Sequence, residues 1–222
     1  MTEPLEYPYA AQEQAMEAVP RPEPESEPEV EAVPESEPAE EAPAEPESEP
    51  LLRGPDQHAA AELDVPEGYG VLEGAPTGAR RGVAVVVARF NGEITTKLLA
   101  SALDELELAG VAREAITVVP VPGAFELPLA AMAFAKTRRY ACVVALGCVI
   151  RGETAHFDYV AGEAASGLQL AALETGVPVA FGVLTTDTVE QAEARVDKGA
   201  EAVRTGLEMA DLFAQLRTAA AG

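Results

Sequence analysis

The chain contains no tryptophan, two cysteines and two histidines, and aromatic residues make up only 5% of its 222 positions. Each scarcity excludes something. Cys142 and Cys148 fall in one strand-like run, and six residues of extended backbone span roughly 20 Å, far beyond disulfide reach. A disulfide scaffold is therefore excluded and two buried thiols are expected. No apolar run approaches the ~18 residues needed to cross a bilayer. The first residues, Met1 to Tyr7, have neither a basic n-region nor an apolar h-region, so a cytoplasmic protein with no membrane partner is expected. Basic residues are scarce too: 15 Lys and Arg stand against 38 Asp and Glu, for a formal net charge of −23. Without a basic stripe to displace condensed counterions, nucleic acid is not an expected partner. No ligand cluster suggests a metal, and no cofactor is expected.

The acidity is unevenly placed. Residues 1–50 hold sixteen Glu, no Asp and one basic residue, Arg21, so they carry −15 of the −23, and they hold eleven of the eighteen prolines. Such a stretch cannot bury enough apolar surface to offset its ordering entropy. We expect residues 1–68 to be a disordered, self-repelling acidic arm and linker biased to polyproline II, with one folded domain over 69–222. The arm is either a solubilising tail or a segment that recruits a partner.

From Tyr69 onward apolar runs alternate with helical spacing. Tyr69 to Gly74 reads as a short edge strand. Gly82 to Arg89 is a buried strand, and Ile94 to Ala109 a helix stopped by Gly110. Ile116 to Val121 is a second strand, and Phe125 to Arg138 a second helix, with Pro128 tolerable in its first turn. Ala141 to Ile150 is a third strand and His156 to Leu173 a third helix. Val179 to Leu184 is a fourth strand, followed by helices over Val189 to Arg195 and Lys198 to Leu216. The alternation implies an α/β fold, a four-stranded parallel sheet between helical layers. Strands buried on both faces read as unbroken hydrophobic runs, and ligands sit at their carboxyl ends, where the next helix presents free N–H groups.

The unusual residues gather at those ends. Phe90 and Asn91 follow the first strand, Gly123 to Glu126 the second, Arg151 to His156 the third and Thr185 to Asp187 the fourth. Each has a plain structural alternative. Phe90 is either a plug for the sheet edge or a stacking platform. Glu126 either caps a helix start or contacts a ligand. Thr154 serves as an N-cap or an anion contact. His156, the one histidine of the folded part, is either structural or a proton-transfer group. Arg195 either pairs with Glu193 or Asp197 at the surface or holds an anion.

Four segments tip the balance: Ala88-Arg89-Phe90-Asn91-Gly92-Glu93-Ile94-Thr95, Val121-Pro122-Gly123-Ala124-Phe125-Glu126-Leu127-Pro128, the block from Gly147 through His156 to Val160, and Phe181-Gly182-Val183-Leu184-Thr185-Thr186. In order and spacing they resemble 6,7-dimethyl-8-ribityllumazine synthases, over about Tyr69 to Leu216. The resemblance implies a flavodoxin-like three-layer α/β/α sandwich, assembled as a homopentamer with active sites between neighbouring subunits. It also implies the penultimate step of riboflavin synthesis, a condensation of 5-amino-6-(D-ribitylamino)uracil with 3,4-dihydroxy-2-butanone 4-phosphate that releases phosphate and water.

The same resemblance assigns roles. Phe90 stacks on the pyrimidine, Val149 and Ile150 line the slot, and Asn91 is a further substrate-binding residue. Ala124, Phe125 and Glu126 hold the ribityl chain. Backbone N–H groups at Glu153 and Thr154 cradle the phosphate, and Arg195 supplies its positive partner. Phe181 of an adjoining subunit closes the pocket, and His156 is the acid/base. Two features depart from the family. The loop after Arg195 is short, Val196-Asp197-Lys198-Gly199, with Lys198 at the place of the family's loop lysine, which leaves open whether pentamers build a larger shell. The acidic arm has no counterpart in the motifs. The alternatives are an archaeal-type riboflavin synthase and a non-catalytic flavin-binding shell protein. The set Phe90, Glu126, His156 and Arg195 disfavours both, because a phosphate-binding Arg serves only a phosphate-bearing substrate.

Overall fold

The computed structural model describes residues 64–221, so the expected arm over 1–68 lies outside the described residues except for its last five. Four strands and five helices alternate: β1 Val83–Ala88, α1 Gly92–Leu108, β2 Ile116–Val121, α2 Leu127–Lys136, β3 Cys142–Ile150, α3 His156–Thr175, β4 Val179–Thr186, α4 Val189–Glu193 and α5 Lys198–Ala221. The strands form one parallel sheet in the order β2-β1-β3-β4. The central pair, β1 and β3, carries the longest runs of β-branched and small apolar residues, and every residue of β1 is buried. β2 lies at an edge, which is why Pro120, opposite Val87, is tolerated without an N–H to donate.

Alternation along β1 sorts the two layers. Val83, Val85 and Val87 face Ala102 and Leu106 of α1 and Val203 and Leu207 of α5. Ala84, Val86 and Ala88 face Leu127, Ala131 and Ala135 of α2 and Ala164 and Leu168 of α3. This is the flavodoxin-like α/β/α sandwich. Small residues bring the second layer close: a Cβ on Gly167 of α3 would lie 2.6 Å from the Cβ of Pro128 on α2. A fully buried leucine such as Leu146 contributes about 1.5–3 kcal/mol through apolar burial. Cys142 and Cys148 are buried free thiols. No helix among the described residues is long and apolar enough to cross a membrane.

Three expectations need correction. Tyr69 to Gly74 forms no strand. Instead the chain lies against α5, where the Ala75 N–H donates to Asp211 at 3.0 Å and the Gln215 amide donates to the Glu73 carbonyl at 2.9 Å. Gly74 permits that approach, since a Cβ there would meet the Glu208 carbonyl oxygen at 2.1 Å. Helix side chains thus take backbone groups that a strand would have used in a ladder. Secondly, β4 runs on through Thr185 and Thr186, paired with Val149 and Ile150, so these threonines end the strand rather than follow it. Thirdly, α2 starts at Leu127, after a separate 3-10 turn over Ala124–Glu126.

Candidate active site

The strand order reverses between β1 and β3, and a crevice opens there. Their pairing ends at Val87 opposite Leu146, whereas β3 continues beside β4 to Ile150 opposite Thr186. Ligands of open α/β sheets bind at such a reversal, beyond the carboxyl ends of the strands. Asn91 bridges the diverging chains: its side-chain N–H donates to the Cys148 carbonyl at 2.9 Å. Its backbone sits in the left-handed region, φ 56°, which asparagine tolerates better than most residues, and it turns the chain into α1.

Phe90 is tied to the neighbouring turn through its N–H, which donates to the Pro122 carbonyl at 3.1 Å. Its side chain leaves 70% of the residue exposed and faces the crevice. A buried plug would be covered, and this ring is not. At the end of β2, Glu126 and Gly123 close the 3-10 turn reciprocally. The Gly123 N–H donates to Glu126 Oε2 at 2.9 Å, and the Glu126 N–H to the Gly123 carbonyl at 3.3 Å. Glu126 is therefore a turn-closing residue that also borders the crevice.

After β3 the chain makes a loop over 151–155 before α3. The Arg151 N–H donates to the Thr186 carbonyl at 2.9 Å, and the His156 N–H reaches the Thr154 hydroxyl at 3.4 Å. Among the described residues, the N–H groups of Gly152, Glu153, Thr154 and Ala155 donate to no protein acceptor. Together with the start of the 20-residue α3 they form a surface suited to an anion. His156 is exposed at the first position of α3.

These segments enclose a cleft of about 590 Å³, a size usual for small-ligand sites. Of the expected residues, His156, Phe90, Asn91, Ala124, Phe125, Glu126, Val149, Ile150 and Thr154 line it. Glu153 belongs to the same loop but not to the wall. Phe181, Arg195 and Lys198 lie outside it. Phe181 sits in β4 opposite Ala145, 47% exposed. Arg195, exposed beyond α4, donates to the Gln191 carbonyl at 2.8 Å. It pairs with neither Glu193, which binds Lys97 at 2.8 Å, nor Asp197. Lys198 pairs with Glu201.

Sequence reasoning assigned no role to six wall residues: Gly123, Cys148, Gly152, Phe157, Tyr159 and Val160. For two of them a signal existed, because Tyr159 and Val160 lie three and four positions after His156 and so share its helix face. Burial pushes the Cys148 thiol up to about 11, which keeps it protonated near neutrality and unsuited to nucleophilic attack. Among the described residues no group of three or more potential metal ligands gathers. The wall thus offers an aromatic face, apolar sides, a carboxylate, a loop with unpaired N–H groups and an imidazole.

Comparison with known proteins gives this arrangement its family. A family model described as 6,7-dimethyl-8-ribityllumazine synthase matches residues 81–214. Proteins named 6,7-dimethyl-8-ribityllumazine synthase from Yersinia pestis (strain Pestoides F) and Yersinia pseudotuberculosis serotype O:1b (strain IP 31758) are each 52% identical to this chain over 153 residues. Those alignments cover 66% of this chain and 98% of each relative. The chain belongs to the 6,7-dimethyl-8-ribityllumazine synthase family, transferases of riboflavin biosynthesis.

Proposed function

We propose that the chain condenses 5-amino-6-(D-ribitylamino)uracil with 3,4-dihydroxy-2-butanone 4-phosphate to 6,7-dimethyl-8-ribityllumazine, releasing phosphate and water. It does so in the cytoplasm, as a homopentamer with sites between neighbouring subunits. The observation that carries this reading is the convergence, in one cleft, of an exposed aromatic face, a carboxylate turn, unpaired loop N–H groups and an exposed histidine. The reaction needs each of these. A planar pyrimidine stacks on Phe90 between Val149 and Ile150. The polyol runs along Ala124, Phe125 and Glu126, whose carboxylate accepts from hydroxyls. The phosphate lies on the N–H groups of Glu153 and Thr154 at the start of α3, where the helix dipole favours an anion.

Condensation of the 5-amino group with the ketone forms a C=N bond and expels one water, elimination then expels phosphate, and closure of the ribityl-bearing nitrogen onto the remaining carbonyl completes the second ring and expels a second water. These steps require protons to be moved, and the exposed His156 imidazole on the cleft wall is the group to which that work is assigned. The positions of Phe181, Arg195 and Lys198 outside the cleft support a site completed by a second copy. There Phe181 covers the pyrimidine, and Arg195 meets the phosphate with a charge-assisted hydrogen bond. Lys198 adds positive charge near the same group. Mixing purified full-length protein with the two substrates tests the reading. Lumazine fluorescence is expected to appear faster than in the uncatalysed mixture, and equal rates would refute the assignment.

A further inference from the structure

Arg151 is absent from the cleft wall, yet it is the most connected cation beside it. Its Nε–H donates to Asp187 at 3.0 Å, just beyond β4, and its Nη1–H to Asp158 at 3.2 Å, in the first turn of α3. The guanidinium carbon lies 4.1 Å from the centroid of the Phe157 ring. The Arg151 N–H is anchored to the Thr186 carbonyl as well. One residue therefore fixes the loop over 152–155 at both ends, fastening its start to β4 and its finish to the helix.

Two carboxylates share this cation, so the cluster is net negative and a poor receptor for phosphate in its own right. Its donors are committed to holding, and what they hold is the stretch whose N–H groups are unpaired. Gly152 supplies no stiffness there, since space around it is open and it has no side chain to pack. We propose that Arg151, with Asp158 and Asp187, is a positioning clamp that keeps the 152–155 loop in its anion-binding shape. This rests on the reading that the loop receives phosphate.

The test uses the full-length protein and two measurements, calorimetric titration with inorganic phosphate and steady-state kinetics with both substrates. Arg151→Met is expected to weaken phosphate and raise the KM of the phosphate-bearing substrate about three- to tenfold, which is what two exposed ion pairs of ordinary strength supply. The pyrimidine KM and kcat are expected to stay within about twofold, since the groups assigned to them are untouched. Arg151→Lys should recover part of the loss, because an ammonium keeps the charge but not the planar fork that reaches two carboxylates.

The paired variant Asp158→Asn with Asp187→Asn decides between holding and mere charge. Removing two negative charges beside an anion site should tighten phosphate if only the field matters. It should weaken phosphate if the clamp matters. Tighter phosphate in the paired variant, or an unchanged affinity in Arg151→Met, would overturn the proposal. The two readings separate cleanly. Wild type that binds phosphate, loses it on Arg151→Met and yet forms no lumazine would refute the assigned reaction and leave the clamp standing. Normal turnover with unmoved phosphate in every variant would do the reverse.

Discussion

The ends of β1, β2 and β3 bring Phe90, Glu126 and His156 to one cleft, whereas β4, the turn after α4 and the start of α5 carry Phe181, Arg195 and Lys198 away from it. The first group meets because of topology. Parallel strands deliver every following turn to one side of the sheet, and the reversal between β1 and β3 leaves a gap there. The second group shows an aromatic ring on an edge strand and a guanidinium that donates to a backbone carbonyl. The proposed site between copies requires this division, with one group gathered in a chain's own cleft and the other left outside it.

The largest expected effect within the cleft is that of His156→Ala. General acid/base groups contribute ~10²–10⁴-fold, and because imine formation proceeds slowly unaided we expect the low end or less. Turnover should fall while both KM values stay near wild type, and unchanged turnover would remove His156 from the chemistry. Outside the cleft, Arg195→Ala should lower kcat/KM for the phosphate-bearing substrate by about 2 kcal/mol, the value of one lost charge-assisted hydrogen bond. The pyrimidine KM should barely move, and equal losses for both substrates would mean that an interface, not a contact, had been damaged.

A substitution in neither group should alter stability alone. The Ala75 N–H, then Gln215 and Arg81, hold the Asp211 carboxyl below its ordinary range. A carboxylate with a depressed folded value stabilises the fold above the ordinary value of about 3.9 and loses that contribution as pH falls through the depressed one. Asp211→Asn should therefore lower Tm at neutral pH with kcat unchanged, and the gap from wild type should close below about pH 4. A gap that widened in acid would contradict the assignment of Asp211 as an anchor for the segment around Ala75. Smallest of all is the effect expected from deleting residues 1–63. Every proposed contact lies at Phe90 or later, so kinetic constants should not change, while the loss of at least fifteen net negative charges should favour association, most visibly at low salt. A folded but inactive truncation would show that the acidic segment enters the site.

Much of this was legible in the residues. Val83 to Val87 and Cys142 to Leu146 announce central strands because burial on both faces leaves no room for polar alternation. The gathering of Phe90, Glu126 and His156 follows from strand direction alone. What stayed hidden depended on long-range partners. Nothing local in Tyr69 to Gly74 says that α5 will take its backbone groups, and nothing near Asn91 names the Cys148 carbonyl, 57 positions away, as its partner. Arg151 reads as one more loop cation until Asp187 and Asp158 are seen on either side of it.

Subunit mixing tests the shared site most directly. One variant carries Phe90→Ala and Glu126→Ala, which damage the cleft, and the other carries Arg195→Ala, which damages the outward group. Each is assayed alone at limiting phosphate-bearing substrate, and then the two are co-assembled in equal amounts. In a ring of identical head-to-tail contacts, roughly a quarter of the interfaces would join two intact halves, so activity should rise well above the average of the two variants toward about a quarter of wild type. A mixture no more active than that average would show that each chain works with its own Arg195, and the site between copies would be contradicted.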